Sequence, residues 1–436
     1  MSKVNSKLVN GSDAIVPSSY EVESIILTAS NGDEYDIKAV VATISVTESL
    51  YAGSLQAEFG ILDAANMLEK LKVVSGEVLH LRVTRRLTGE QKDTYDHTFR
   101  IAEVHSYSKL SPGTQTYYFR CVSEHAMVSQ TKTISKRFND VPGALIERLC
   151  TDELNIDPEE LSINTETKQT VKGVYPRMRP MVLINWLKNK AYDNGSPFFF
   201  YETLGQGIIF DSYENMINKD TYKEYMHSPI HNHNVGSKEN ITHLASKVLT
   251  LSSEMNMSKY INTGNGAYSS TLHTLDTSTK SYNVKAYDYN RDNKYTLNKN
   301  GVLPTGVKVN DISLGEHSGS TNFYVSLNAL AHNGGSNIHA PNDSDILAAN
   351  AYMENMDTLS LTVEIYGDFK LCVGTPIDIS VVKSVETDED KRGNDKLLSG
   401  RYLVTSIEHI FGEEYKMKML CKKDSFTESL DNIIKV

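Results

Sequence analysis

The chain has little tryptophan, little cysteine and no long apolar run. Its 436 residues include one tryptophan, Trp186, and four cysteines, Cys121, Cys150, Cys372 and Cys421. The cysteines fall at no metal-ligand spacing, so we expect buried, reduced thiols. No segment reaches membrane-spanning length, and the first residues carry no apolar signal-peptide core. These absences predict a protein made in a reducing cytoplasm, without a membrane anchor.

An excess of positive charge is also missing. The net charge is −11 with both signs interspersed, which disfavours a grip on nucleic acid through phosphate contacts. The sequence contains no glycine-rich phosphate loop, zinc motif or dinucleotide fingerprint. Carboxylates are abundant, but no pair is marked out as the acid and base of a glycosidase. We therefore predict that the protein is not an enzyme, and that it has no catalytic, cofactor-binding or metal-binding residues and no cofactor.

Three histidines, His227, His231 and His233, lie close together in one polar stretch. On an extended strand His231 and His233 would share a face, which is one way to bind a transition metal. No carboxylate or cysteine at a suitable spacing completes such a ligand set. We interpret the three as solvated loop histidines.

A second cluster resembles the opening of a calcium-binding loop, with oxygen ligands at Asp288, Asn290 and Asp292. Such a loop needs glycine at its sixth position and a bidentate glutamate at its twelfth. Here those positions hold Asn293 and Lys299. Because a cation stands where the ion needs a carboxylate, we predict a turn at this point.

The segment Gly315–Gly319 superficially resembles a nucleophile elbow. Its serine comes one position late for that motif, and no apolar strand precedes it. We interpret the segment as an ordinary loop.

What the chain does contain is a strand pattern that occurs twice. The first copy comprises Gly76–Val83, Phe99–Val104 and Tyr117–Cys121, and the second comprises Gly374–Val381, Leu403–Ile407 and Met417–Cys421. In each copy apolar residues alternate with polar ones, so one face of each strand points inward, as in a sandwich or small barrel. The pattern predicts a duplicated structural module, and duplication determines which symmetry an oligomer can present.

The whole chain is predicted to be mainly β with an α+β insertion, as two tube-like antiparallel β-barrel domains flanking a small α/β domain. The predicted divisions are an N-terminal arm (1–18), the first β-barrel domain (19–127), the α/β domain (128–235), the second β-barrel domain (236–290 and 346–425), an insertion or surface excursion (291–345) and a C-terminal tail (426–436). In the α/β domain, a helix with Asp140 as its N-cap and Pro142 in its first turn is expected.

Three stretches of sequence carry a family resemblance. They are Val174–Trp186 running into Gly195–Glu202 and Gly207–Ser212, then Asn265–Asp276 with Lys280–Tyr282, and last Leu397–His409 followed by Tyr415–Met419. In this order they resemble the central baseplate hub proteins of contractile-tailed, T-even-like bacteriophages. The hub region of type VI secretion spike proteins is more distantly similar. The resemblance spans about residues 20 to 425.

The resemblance implies a structural virion protein of the tail baseplate, made in the host cytoplasm. Such a hub is a homotrimer in which each chain contributes two tube-like barrels, so that the ring adapts a hexameric tail tube to a trimeric central spike. The implied partners are the spike, tail-tube or tube-initiator proteins, and also tape measure and baseplate wedge proteins. DNA is implied only as passing cargo during viral genome ejection, and an acidic channel lining would keep it from sticking.

The residues from 290 to 345, rich in Asn, Gly, Ser and His, have no counterpart in the family pattern. We expect this excursion to contact baseplate wedges or to be a surface decoration. The alternative hypothesis is a β-sandwich protein that binds or processes carbohydrate. That alternative predicts a stable monomer with a concave, aromatic-lined groove, whereas the hub predicts a threefold ring.

Overall fold

The computed structural model describes residues 18–86, 92–111, 113–168, 170–227, 245–254, 259–276, 280–298, 308–317, 321–327, 343–383 and 393–427. The predicted N-terminal arm up to residue 17, large parts of the predicted excursion, and residues 428–436 of the predicted tail lie outside these ranges.

The N-terminal part of the chain forms antiparallel strands. They are β1 (Glu21–Thr28), β2 (Glu34–Asp36), β3 (Val41–Ser49), β4 (Gln56–Asp63), β5 (Val78–Arg86), β6 (Lys92–Ser111) and β7 (Thr114–Ser123). Helices α1 (Met67–Leu71) and α2 (Glu124–Gln130) complete this part. Burial alternates along β7, where Tyr117, Phe119 and Cys121 all point into the core. This is the period-two pattern that the sequence predicts.

The middle of the chain is a small α/β segment. It contains β8 (Arg137–Asp140), α3 (Pro142–Arg148), β9 (Leu161–Ile163), β10 (Val171–Val174), α4 (Pro180–Lys188), β11 (Tyr192–Asp193), β12 (Ser196–Thr203), β13 (Gly207–Ser212) and α5 (Tyr213–Asn218). A π-helical turn, Leu149–Glu153, extends α3, and a 3-10 turn, Pro158–Glu160, precedes β9. Leu183 and Leu187 of α4 are buried in a core that belongs to this segment.

One cap prediction in this segment is wrong. Pro142 lies in the first turn of α3 as expected, but the N-cap is Val141, whose side chain makes no capping hydrogen bond. Asp140 instead ends β8, and its carboxylate pairs with Arg148 at 2.5 Å. The aspartate therefore binds the last residue of the helix and does not cap the first turn.

The C-terminal part of the chain returns to strands. These are β14 (Glu224–His227), β15 (Val248–Glu254), β16 (Ser269–Asp276), β17 (Ser281–Asp288), β18 (Lys308–Val309), β19 (Ile312–Ser313), β20 (Asn322–Leu327), β21 (Leu359–Tyr366), β22 (Pro376–Val381), β23 (Gly400–Phe411) and β24 (Tyr415–Lys423). The helices are α6 (Lys259–Gly264), α7 (Tyr289–Asp292) and α8 (Asp343–Asn355), with a 3-10 turn at Leu314–Glu316. None of the helices within the described ranges is long and apolar enough to cross a membrane.

Strands of both halves join in one sheet, which is antiparallel except for the pair of β14 and β22. Its order is β15-β21-β24-β23-β3-β4-β7-β6-β5-β1-β2, with β22 and β14 branching from β23. The two halves have the same internal order. The first runs β3-β4-β7-β6-β5-β1, and the second runs β15-β21-β24-β23-β22-β14. They differ at the last strand, since β1 is antiparallel to β5 whereas β14 is parallel to β22.

Two irregularities in the ladders recur at matching positions in the two halves, whereas β1 and the end of β6 have further register shifts without a counterpart. Cys121 of β7 lies opposite Ile101, and Cys421 of β24 lies opposite Val404; in both ladders a β-bulge follows immediately. A second bulge interrupts β3 after Val41 and β15 after Val248 at the corresponding rungs. Because an extra residue at the same rung is a specific geometric feature, these matches indicate that the two units are repeats of one module.

The predominantly β, antiparallel character of the prediction is confirmed. Among the described strands, however, no sheet closes into a barrel. In the second half one isolated bridge, between Met226 of β14 and Lys247 just before β15, brings the two ends of the strand series together. The predicted place of β16 and β17 within the second barrel is wrong, because they form a separate sheet with β20 from the predicted excursion.

Candidate assembly interface at the strand junction

The two repeats are joined by direct pairing of strands that are far apart in sequence. β3 lies antiparallel to β23, from Ser49 opposite Ser406 to Ile44 opposite Phe411. The Ser406 hydroxyl also donates to the carbonyl of Glu48 at 3.0 Å. The two modules therefore lie edge to edge.

A buried carboxylate anchors this junction. Glu48 of β3 has no exposed surface, and it follows Ile44 and Val46 on the inward face of the strand. Its carboxylate accepts hydrogen bonds from the backbone N–H of Leu204 at 2.9 Å and that of Val373 at 3.2 Å. Three segments of the chain thus meet at one side chain.

The same carboxylate also contacts a buried histidine of the second repeat. His409 Nε2 lies 3.0 Å from Glu48 Oε1, and His409 Nδ1 lies 2.8 Å from the hydroxyl of Tyr415. All three side chains are buried. Since a buried polar group is tolerated only when its hydrogen bonds are satisfied, this arrangement fixes the relative position of β3 and β23.

Aromatic rings pack around the polar group. Tyr415 stacks on Phe411 with centroids 4.6 Å apart, and Tyr95 of the first repeat stacks on Phe369 of the second at 3.8 Å. The hydroxyl of Tyr95 donates to the Phe369 carbonyl at 3.1 Å. These buried aromatic rings give the contact between the two repeats the composition of a protein core.

A second buried carboxylate attaches the middle segment to the first repeat. Glu202 of β12 accepts from the backbone N–H of Leu55 at 2.7 Å and from the hydroxyl of Ser123. His97 and His125 lie 3.6 and 3.7 Å from its oxygens. Desolvation lowers the pKa of His97 below its ordinary value. The groups that contact the Glu202 carboxylate are all part of the folded chain, so this carboxylate has a structural role.

The third such group lies at the end of β24. Asp424 is fully buried and accepts from the Leu297 backbone N–H at 3.1 Å and from the Tyr213 hydroxyl at 3.0 Å. The neighbouring Lys423 donates its ammonium group to the carbonyls of Leu397 at 2.7 Å and Ser399 at 3.0 Å. Burial lowers the pKa of Lys423 to about 7. The pair ties the last strand to the middle segment and to the chain before β23.

The sequence-predicted candidates do not assemble into a metal site. His227 ends β14, and burial lowers its pKa, while His231 and His233 lie outside the described residues. Across the described ranges, no group of three or more His, Cys, Asp or Glu side chains is placed to hold a metal ion. The four cysteines are free and buried, as predicted, and burial raises the pKa of each thiol.

The calcium-like cluster has a structural role. Asp288 caps the short helix α7 by accepting from the backbone N–H of Asn290 at 2.9 Å. Asp292 accepts from the backbone N–H of Asp288 at 3.0 Å and pairs with Arg291. The oxygens are thus used within a four-residue helix, where a turn is predicted, and Lys299 lies outside the described residues.

At Gly315–Gly319 the prediction of an ordinary loop needs one correction. Ser313 and Glu316 form a capping box that begins the 3-10 turn Leu314–Glu316. Residues 318 and 319 lie outside the described residues.

One surface depression gives a check on the carbohydrate alternative. It has a volume of about 360 Å³ and is lined by polar residues, among them Asp193, Glu214 and Asn215. None of its lining residues is aromatic. This depression therefore lacks the stacking face that a sugar-binding groove of the predicted kind requires.

Two solved tail proteins share this fold. The 43 kDa tail protein of prophage MuSo2 from Shewanella oneidensis aligns with a TM-score of 0.53 and 10% identity, over 94% of this chain and 100% of its own. A tail protein from Neisseria meningitidis MC58 aligns with a TM-score of 0.52 and 9% identity, over 93% and 97%. No protein-family model matches the sequence, and no curated protein does either.

A third solved chain, the E. coli c3393 protein, described as a component of the type VI secretion system, aligns with a TM-score of 0.42 and 10% identity over 93% of this chain and 77% of its own. That score is too low to establish a shared fold. The predicted likeness to phage tail proteins is confirmed at the level of the fold.

The buried carboxylates were not singled out from the sequence. One signal was present: Glu48 occupies the third inward position of an alternating strand, after Ile44 and Val46. An acid at an inward position of a strand has to find buried donors. Glu202 follows an aromatic run without such a parity signal, because burial in β12 is continuous, and Asp424 follows two lysines directly after β24.

Proposed function

We propose that the protein is a structural component of a phage-type tail, the trimeric baseplate hub that adapts a hexameric tail tube to a trimeric central spike. The observation that carries the proposal is the repeated module, with the same strand order and matching bulges in both halves of the chain. Three chains with two like modules each present six similar edges to a tube and three identical chains to a spike.

The shared fold with two solved tail proteins supports this proposal, as does the edge-to-edge junction between β3 and β23. In the assembled hub each six-strand unit acts as one barrel-like segment of the ring. The net charge of −11 fits a channel lining that does not retain passing DNA. The protein acts by assembly and carries out no chemistry, and its place is the tail baseplate of the virion.

The test is the mass of the purified full chain by sedimentation over a wide range of concentration, followed by imaging of the particles. The hub predicts a species of three chains and particles with threefold symmetry. A chain that stays monomeric at every concentration would contradict the trimeric ring and favour the carbohydrate-binding alternative.

A further inference from the structure

We propose that the ring closes through one defined strand pair, in which the distal edge of β6 of one chain binds the free edge of β15 of the next. The inference rests on the proposed trimeric hub and specifies its contact between chains. It follows from the strand pair between the second repeat and the first repeat inside a single chain.

Within the chain, one edge of β23 pairs with two different strands. Residues Gly400–Leu403 pair with β22, and residues Ser406–Phe411 pair with β3 of the other repeat. The opposite edge of β23 pairs with β24. The bulge at Thr405 separates the two halves of the shared edge.

In the first repeat β6 is the counterpart of β23. Its residues Lys92–Arg100 pair with β5, as Gly400–Leu403 pair with β22, and its other edge pairs with β7. Beyond the bulge at Ala102, the edge from Glu103 to Ser111 has no strand partner on the β5 side among the described residues. Residues 106–110 are exposed, among them Tyr107 at 52% and Leu110 at 64%.

β3, the strand that pairs with β23, also has a counterpart in the second repeat, which is β15. β15 pairs with β21 as β3 pairs with β4, with the bulge at the same rung. On its other side, the one that β3 offers to β23, the part of β15 from Leu251 onward meets no strand in the described chain. Ser252 and Ser253 are exposed there.

Within its described residues, each chain therefore carries one open edge of the β23 kind and one of the β3 kind. These edges are complementary, but they belong to different modules, so the contact between copies is heterologous and propagates around an axis. In a closed ring, junctions within a chain and junctions between chains alternate. The occupant of each open edge is thus a second copy of this chain, bound through main-chain hydrogen bonds.

The internal junction fixes the expected register. Inside the chain Ile410 lies opposite Ser45, next to the rung of Phe411 and Ile44. The ladders with β24 and β7 match β23 to β6, and the ladders with β4 and β21 match β3 to β15. In this correspondence Ser108 takes the place of Ile410 and Ser252 takes the place of Ser45, so we expect Ser108 opposite Ser252. The side chains differ, since Glu48 and His409 form a buried polar contact within the chain and the open edges expose serines. A polar edge suits a contact that forms only on assembly.

The experiment is disulfide trapping in the full chain with the double substitution Ser108→Cys and Ser252→Cys. Residues directly opposite on antiparallel strands have Cα atoms within disulfide range and side chains on the same face. The matched control is Ser108→Cys with Ser253→Cys, in which a shift of one residue turns the second thiol to the other face. The four native cysteines are buried and leave little background.

Mild oxidation followed by non-reducing electrophoresis should give covalent dimers and trimers for the 108/252 variant, and at least tenfold less for the control. Equal cross-linking in both variants overturns the register. A 108/252 variant that sediments as a trimer when reduced, yet gives no covalent product when oxidised, overturns the strand pair and leaves the trimeric hub standing. A monomer at every concentration overturns both.

Discussion

Lys423 lies at the end of β24 with its ammonium group out of solvent. Burial lowers its pKa to about 7, from an ordinary value of 10.5. Between these values the unfolded chain binds more protons than the folded one, so the free energy of unfolding rises with pH. From pH 7 to about 8, below the ordinary pKa of unfolded thiols, the contribution is about 1 kcal/mol.

The substitution Lys423→Met should remove this rise, because the apolar side chain does not titrate in either state. Urea unfolding at several pH values in this window measures it, as the difference in slope between the two proteins. Lys418→Met, at an exposed position on the same strand, is the control and should follow the parent protein. Parallel pH curves for the parent and Lys423→Met would show that the burial of Lys423 has no such effect.

At the scale of single elements, the end of β21 depends on a glycine. A Cβ at Gly367 would lie 1.9 Å from Cδ1 of the buried Tyr415 ring. The ring is held by the stack on Phe411 and by His409, so it has little freedom to move. Gly367→Ala should therefore destabilise the fold by about 3 kcal/mol, at the upper end for overpacking.

Thermal and urea unfolding of Gly367→Ala measure this cost. Gly412→Ala is the matched control, because Gly412 lies in the turn before the same tyrosine strand and its Cβ would meet no atom within 4 Å. The control should change the free energy of unfolding by less than about 0.5 kcal/mol. Equal effects at the two positions would mean that the Tyr415 ring can move aside without destabilising the fold.

Elements were predictable where a local pattern decides them. The alternation of Tyr117, Phe119 and Cys121 predicts β7, and Pro142 lies in the first turn of α3 as expected. Caps were less predictable, because Asp140 could either cap the start of α3 or pair with Arg148. In the structure it pairs with Arg148. A local sequence pattern does not contain the tertiary partner that makes this choice.

On the scale of the whole molecule, the sequence predicted a duplicated module but not the pairing of β3 with β23. Alternating strands such as these can pair with many partners, and the choice depends on contacts between residues hundreds of positions apart. The same reason explains why β16 and β17 were misplaced, since their partner β20 comes from a stretch with few apolar residues. The cohesion of the molecule therefore depends on long-range contacts such as those of Glu48.

Glu48→Gln tests that cohesion. The amide keeps the size of the carboxylate but has only one acceptor oxygen, while the backbone N–H groups of Leu204 and Val373 donate to the two different oxygens of Glu48. At least one donor is then buried without a partner, and the loss should be about 3 kcal/mol. Glu413→Gln, in the exposed turn before β24, should cost less than about 0.5 kcal/mol.

Because Glu48 joins both repeats and the middle segment, its loss should lower the midpoint of unfolding equally for two separate probes. Fluorescence of Trp186 reports on the core of the middle segment, and far-ultraviolet circular dichroism reports mainly on the strands. Coincident shifts would mean that the three segments unfold as one unit. If the Trp186 transition stays in place while the strand signal moves, the carboxylate stabilises only the β3–β23 junction, and the middle segment folds independently of it.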